Sequence, residues 1–381
     1  MLVHLAARDY RNFASLDVDI PASGLVIVGE NGHGKTNLLE AAAYLALLRS
    51  FRGARDADVI RFGAPAFHVR ATLSAPSAWH TVSVGYERAT KRKRATLDGV
   101  EQPRLTSALG AVPSVEFSPA DVSLVAGAPG ERRRYLDVML ALSSPAYLQA
   151  LQQYRAALLR RNAALRTAQR DMARGAGRGG DHEARVSVWE PALAEHGGFV
   201  VAARHAFVQE QAERYLQLCT AIGERQGAVL RYTSVGGDNG DAVATSSAAQ
   251  GESLTRALAQ QRATELRRGV TLVGPHRDEL HLQLGGRDLR TFGSAGQQRS
   301  AAIALRLLEL ATLRGAIGYA PLLLLDDPFA ELDLGRAKRV LALLDDAGAA
   351  QVLLAVPREE DIPDAFTRLE RRTMHNGALT N

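Results

Sequence analysis

Cysteine is almost missing from this sequence: Cys219 is the only one in 381 residues. A single thiol excludes an intramolecular disulfide framework and any zinc site built on cysteines. Lysine is nearly as scarce, with Lys35, Lys91, Lys93 and Lys338 the only four among 46 basic residues. That skew accompanies abundant Ala and Gly and identifies no partner. No run approaches the roughly 18 apolar residues a membrane helix needs. The N-terminus, Met1 to Tyr10, has neither the basic region nor the apolar stretch of a signal peptide. The expectation is a soluble, cytoplasmic protein with no membrane partner. Zinc knuckles, a helix-turn-helix and the aromatic clusters that stack on single strands are also lacking, so no base-reading device is visible.

What is present is a chain of 46% hydrophobic residues, long enough for two domains or for one domain with an insertion. The net charge of +5 permits an anionic partner without requiring one. Residues 25–28 (Leu-Val-Ile-Val) predict a short buried strand, and a helix follows from about Asn37 to Leu48 with Leu38, Ala42, Leu45 and Leu48 on one stripe. From about 66 to 116 alternation suggests a β-rich lobe, with a strand at His80–Tyr86 and a tight turn at Asp98-Gly99. Helical periodicity dominates from about Glu131 to Gln226, interrupted near Pro145 and at the Gly-rich stretch Met172–Asp181. Two helical stretches on either side of that connection predict an antiparallel hairpin. Residues 235–252 read as a mobile loop. Beyond them come a helix at 295–314, an apolar strand Leu322–Leu325, a helix at 334–346 and a strand Val352–Val356.

The segment Gly29-Glu30-Asn31-Gly32-His33-Gly34-Lys35-Thr36 fits G-x-x-x-x-G-K-[ST], with a strand before it and a helix after it, continuing into Asn37. Glycines let backbone N–H groups turn inward around phosphate oxygens, and the helix N-terminus adds positive potential. Lys35 is placed to reach the β- and γ-phosphates of ATP, and the Thr36 hydroxyl to bind Mg²⁺. The apolar strand ending in Asp326-Asp327 supplies the second half of such a site. Asp326 is expected to hold Mg²⁺, and Asp327 to orient or deprotonate an attacking water.

Ser294-Ala-Gly296-Gln297-Gln298 opens a helix about 30 residues before that strand and resembles the S-x-G-Q signature of ABC-type ATPases. In that class the signature completes the ATP site of a second subunit, so that two ATPs are sandwiched in a head-to-tail pair. The resemblance then narrows to the RecF family of bacterial recombination mediator ATPases. Asp9-Tyr-Arg11-Asn12-Phe13 is similar to that family's opening D-F-R-N-Y, and Gly29 to Glu40 follows its phosphate loop and T-N-L-L-E-A continuation. Ser50-Phe51-Arg52 matches its S-F-R. Phe117-Ser-Pro119 with Asp121, then Glu131-Arg-Arg-Arg-Tyr-Leu-Asp137, resemble its F-S-P-E-D and E-R-R-R-F-L-D. Arg161-Asn162, Gly274-Pro-His276-Arg277-Asp278 and Ser294–Arg299 complete the set.

The resemblance implies an α/β fold: an ABC-type ATPase head with a β-rich lobe and a helical-hairpin insertion domain. The expected division is 1–120 and 269–381 for the two parts of the ATPase domain, and 121–268 for the insertion. It also implies an ATP·Mg²⁺-dependent homodimer that binds duplex DNA near single-strand gaps or junctions and promotes recombinase loading. That role belongs to DNA repair, replication-fork maintenance and the SOS response, with RecR and RecO as partner proteins and a nucleoid-associated location. Gly29 to Asn37, together with Ser294, Gly296 and Gln297, are the expected nucleotide contacts; Arg11 suits either the nucleotide or the edge of the core. Lys91-Arg92-Lys93-Arg94 and Arg132-Arg133-Arg134 are candidate DNA contacts, and both clusters also suit a solvated surface. Arginines at 132–134 oppose the dipole of the helix they begin, so they require a partner.

The chain also departs from the family. His33 adds bulk inside the loop, Pro328 is unexpected, and Ala330 stands where the family has Ser in the S-E-L-D that lines the dimer seam. Ala355-Val356-Pro357 offers neither the His of transporter ATPases nor the Thr or Ser of this family as a γ-phosphate sensor. Slow, DNA-stimulated hydrolysis with binding as the main switch is the expectation. The alternatives are an SMC-type chromosome-organising ATPase, whose coiled-coil arms are far longer, and a transporter-type subunit, which carries the terminal His.

Overall fold

A computed structural model describes residues 1–175, 179–236, 246–330, 332–348 and 351–380. They form two compact units, Met1–Val122 with Ala302–Asn381, and Ser123–Ala301. The sequence stretch 269–301 therefore belongs with the second unit. The reason is strand pairing: Glu279–Leu284 is antiparallel to Ala228–Thr233, which ties this segment to the helices that precede it.

The first unit is built on two six-stranded sheets. One is antiparallel, in the order Phe13–Asp19, Leu2–Tyr10, Ala66–Leu73, Thr81–Glu87, Arg92–Leu97 and Val100–Glu101. The two N-terminal strands thus join the β-rich lobe that alternation placed only after residue 66. Asp98 and Gly99 both take positive φ and close the last hairpin, as that dipeptide predicts. The second sheet has the order Ala378–Thr380, Glu370–His375, Gly24–Val28, Val352–Val356, Leu322–Asp326 and Ser114–Phe117. All its pairings are parallel except the terminal hairpin. Parallel strands buried on both faces read as continuous apolar runs, which is why Leu-Val-Ile-Val, Leu-Leu-Leu-Leu and Val-Leu-Leu-Ala-Val were legible.

Helix Lys35–Leu47 packs in the core with residues of both sheets. Leu38, Leu39, Ala41, Ala42, Ala43, Tyr44 and Leu45 are all buried, so the helix is covered around its circumference. Leu48 is its left-handed C-cap and lies outside the helix.

Two long helices of the second unit, Pro145–Ala173 and Glu190–Ile222, run antiparallel, as contacts of Tyr154 with Gly197 and of Tyr147 with Arg204 require. A third helix, Ser247–Arg268, packs antiparallel to the second and parallel to the first. It overturns part of the expected mobile loop: Ser246 caps the helix through Ala249 N–H, while residues 237–245 lie outside the described ones. The close crossing depends on glycine. A Cβ at Gly198 would sit 2.5 Å from the Gly251 nitrogen and 2.6 Å from the Ser247 carbonyl oxygen. The unit's polar core centres on Arg161, 0% exposed and paired with Glu190 and Glu265, and on Arg204. Among the described residues, no helix is long and apolar enough to cross a membrane.

Candidate nucleotide site

The strand Gly24–Val28 delivers the chain into a loop that Gly34 closes at φ +116° as the N-cap of the next helix. A Cβ there would fall 2.7 Å from Asn12 Nδ2 and 3.2 Å from the Phe13 ring, so only glycine fits. Asn12 in turn braces the loop: its amide donates to the His33 carbonyl at 3.0 Å and accepts from Asn37 Nδ2 at 2.8 Å. Lys35 curls back, its ammonium donating to the carbonyls of Gly29 and Glu30. Burial draws the Lys35 ammonium below its ordinary range, against the pull of Asp326 and Asp327.

Thr36 and Asp326, 290 residues apart, meet directly. The Thr36 hydroxyl lies 3.0 and 2.9 Å from the two Asp326 carboxylate oxygens. Burial pushes the Asp326 carboxyl up, and the Thr36 hydrogen bond opposes that shift. Asp327 takes φ +45°, a conformation uncommon outside glycine, and its amide donates to the Ala355 carbonyl. Asn31, Gly32, Thr36, Arg52, Asp327 and Pro357 are among the residues lining a cleft of about 270 Å³ here. A hydroxyl and a carboxylate are hard oxygen donors, the set that suits Mg²⁺.

His33 does not line this cleft; its ring meets that of His375 edge-on, 4.8 Å between centroids. Ala355 and Val356 are buried, so the end of that strand presents Pro357 to the cleft. Behind Asp326, Glu116 is buried and its carboxyl is pushed well up by that burial, with Arg306 acting against the shift. Arg306 itself pairs with Asp121 and Glu309.

Arg11 is held at the core edge. It grips Glu40 with two hydrogen bonds, Nε to Oε2 at 2.7 Å and Nη2 to Oε1 at 2.6 Å. Glu40 is 0% exposed and also accepts from the Ser50 hydroxyl, with Arg52 at 3.9 Å. Arg52 also donates to Asn37 Oδ1 at 3.2 Å. Asn12, Glu40 and Arg52 stand in separate sequence motifs, and it is the fold that gathers them beside the loop.

The signature lies in the second unit. Ser294 and Gln297 cap their helix reciprocally: Ser294 N–H donates to Gln297 Oε1 at 2.9 Å and Gln297 N–H to Ser294 Oγ at 3.3 Å. Ser294 is exposed, Gly296 half-buried, and neighbouring Phe292 is 68% exposed. Of the expected seam loop, Glu331 falls outside the described residues, and Asp333 caps the helix Leu334–Asp346.

The cationic candidates divide. Lys91, Arg92 and Arg94 are exposed, the two arginines near Glu101. Strand alternation turns Lys93 inward, where it pairs with Asp56, donates to the Leu48 carbonyl and lies over the Tyr44 ring. Arg132 is buried against Glu279 and donates to the carbonyls of Val125 and Gly127. Arg133 donates to the Asp278 carbonyl, and Arg134 is half-buried.

Phosphate loop, acidic strand end and sheet order define an ABC-type ATPase head of the SMC class. A family model described as the RecF/RecN/SMC N-terminal domain matches residues 1–380, and the chain belongs to the RecF family. A curated relative, the DNA replication and repair protein RecF of Rhodococcus erythropolis, is 39% identical over 94% of this chain and 89% of its own. The protein of the same name from Streptomyces avermitilis is 38% identical over 99% of each. A solved structure of the recombination mediator protein RecF-ATPrS in the RecFOR pathway superposes with TM-score 0.87 at 26% identity. It covers 100% of this chain and 97% of that one. An Smc head domain from Pyrococcus furiosus shares the fold, with TM-score 0.55 and 16% identity over 100% of this chain and 95% of that one.

Proposed function

We propose that this chain is an ATP-gated DNA-binding ATPase of recombinational repair, closing as a head-to-tail dimer around two ATP·Mg²⁺. The observation that carries the reading is the meeting of the Thr36 hydroxyl and the Asp326 carboxylate beside Lys35. Relatives named for DNA replication and repair, and a RecF-ATP structure of 26% identity, support it. Lys35 exchanges the carbonyls of Gly29 and Glu30 for phosphate oxygens, and loop N–H groups take the remainder. Thr36 and Asp326 hold Mg²⁺, which when bound neutralises charge on the β- and γ-phosphates. Asp327 orients the attacking water. Because Pro357 is what the end of strand Val352–Val356 offers the cleft, hydrolysis is slow and binding is the switch.

In the dimer, Ser294 and Gly296 of the partner reach the γ-phosphate, and exposed Lys91, Arg92 and Arg94 contribute to duplex contact. DNA near single-strand gaps is the target, with RecR and RecO as mediator partners. Light scattering on the Asp327→Asn protein tests this. ATP doubles the mass, Ser294→Arg abolishes the doubling, and gapped duplex strengthens the dimer. A mass that stays monomeric while ATP demonstrably binds overturns the reading.

A further inference from the structure

Two motifs that the ATP site leaves unused meet inside the second unit. Glu131–Asp137 begins the helix Pro129–Ser143, and Gly274–Asp278 precedes the strand Glu279–Leu284. With the helix Pro145–Ala173 they enclose a cleft of about 230 Å³, whose lining includes Arg133, Arg155, Tyr154, Leu158 and His276. Its acidic member, Asp137, accepts hydrogen bonds from Tyr147 at 2.7 Å, Arg155 at 2.8 Å and Arg204 at 2.6 Å. Arg204 is 2% exposed and also bonds the Tyr147 and Tyr232 hydroxyls and the Pro275 carbonyl, so it is fully engaged as a brace.

His276 adds no charge. The Thr271 carbonyl can only accept, so the ring donates to it through Nε2, and Nδ1 accepts from the Tyr154 hydroxyl at 2.6 Å. Arg133 and Arg155 differ from Arg204. Arg133 donates through Nη1 to the Asp278 carbonyl, and Arg155, its side chain 58% exposed, through Nη2 to Asp137. A guanidinium carries five N–H donors, so each has others to offer a ligand.

Among the described residues, Arg133 and Arg155 line the cleft beside the carboxylate of Asp137, while buried Asp278, 3.8 Å from Arg204, offsets charge behind it. A phosphoryl group brings up to two charges and several acceptor oxygens, which forks from two different helices can engage together. Leu151, Leu158 and the Tyr154 ring give the cleft an apolar wall suited to the carbon skeleton of a phosphate ester. We propose that this cleft is an oxyanion site taking a phosphoryl group, with Arg133 and Arg155 as its direct ligands. The group comes either from a nucleic-acid backbone or from a small phosphate ester.

The test uses the full chain carrying Lys35→Ala, which removes the phosphate loop's own lysine. Inorganic phosphate, glycerol 3-phosphate and acetate are compared at constant ionic strength by the thermal midpoint. The two phosphates raise it and acetate does not; Arg155→Ala abolishes the rise. Gly130→Asp gives the same loss without deleting a hydrogen bond. A side chain there meets only Arg133 Nη2, at 3.9 Å, and an acid in the first helical turn suits the dipole. A rise that survives both substitutions, or one that acetate matches, overturns the proposal. Binding to random-sequence duplex DNA identifies the source. A roughly three- to tenfold loss on Arg155→Ala, with a salt slope shallower by about 1, assigns the nucleic-acid backbone. Unchanged DNA affinity with the phosphate response lost assigns a small phosphate ester.

Discussion

Replacing Glu40 by Met strips the counter-charge from Arg11, whose side chain is 18% exposed and makes two hydrogen bonds to that carboxylate. Breaking a buried pair from one side costs about 3–5 kcal/mol, because the surviving charge is left uncompensated. Arg11 keeps some access to water, so Glu40→Met falls at the lower end, about 3 kcal/mol. Half-exposed Arg52, 3.9 Å away, adds less than about 1 kcal/mol. Arg11→Met is the more damaging change. It leaves Glu40 at 0% exposure with the Ser50 hydroxyl and the distant Arg52, and the loss approaches about 5 kcal/mol. The double substitution removes both charges and recovers stability to within about 2 kcal/mol of the parent, since buried pairs are often replaceable by apolar residues. Urea unfolding of the four proteins, followed by circular dichroism, yields the coupling energy. If the losses simply add in the double variant, the two charges do not sense one another and the argument from burial fails.

Thr36→Ala removes the hydroxyl facing Asp326, and ATP affinity measured with Mg²⁺ falls at least about tenfold, whereas affinity without Mg²⁺ changes little; equal losses in both titrations would place Thr36 outside the metal's reach. Burial lowers His276 from 6.5 to about 4, so the unfolded chain takes up its proton first as pH falls. The stability held by the neutral ring is fully present above about pH 6.5 and lost as pH drops toward 4; His276→Gln shows a shallower decline of urea midpoint across that window. Gly198→Ala drives a methyl into the backbone of Gly251 and Ser247 and destabilises by about 2–3 kcal/mol, read from the thermal midpoint, while Gly130→Ala is nearly neutral. Lys93→Ala lowers the thermal midpoint and leaves the salt dependence of duplex binding unaltered; Arg94→Ala does the reverse.

How far the sequence could be read depended on the range of the interactions involved. Local signals carried far: the phosphate loop, its flanking strand and the strand ending in Asp326 rest on continuous apolar runs and glycine spacing. The helix Leu334–Asp346 and strand Val352–Val356 fell where periodicity put them. Helix Ser247–Arg268 escaped notice because its first turns, Ser-Ala-Ala-Gln-Gly, carry no apolar stripe, and its buried leucines begin only at Leu254. The Glu40 hub was invisible for a different reason. Arg11, Glu40, Ser50 and Arg52 are scattered along the chain, and only the packing of the first hairpin beside the loop helix makes them neighbours.

The charge runs show the same limit most sharply. In sequence, Lys91–Arg94 and Arg132–Arg134 are blocks of like charge, each readable as one patch. A strand sorts its residues by alternation, so Lys93 goes to Asp56 while Arg92 and Arg94 stay in water. A helix start sorts them by electrostatics. Arginines against the dipole demanded compensation, and for Arg132 and Arg133 the fold supplies it through Glu279 and the Asp278 carbonyl. Both partners come from the segment of Gly274–Asp278 and the strand after it, nearly 150 residues further on. Glu131–Asp137 and Gly274–Asp278, separate motifs in the sequence, are therefore two halves of one structure. Arg133 and Arg155 each spend one donor on a partner within the fold and keep others, so a search for anion contacts starts from them and not from the densest run of charge.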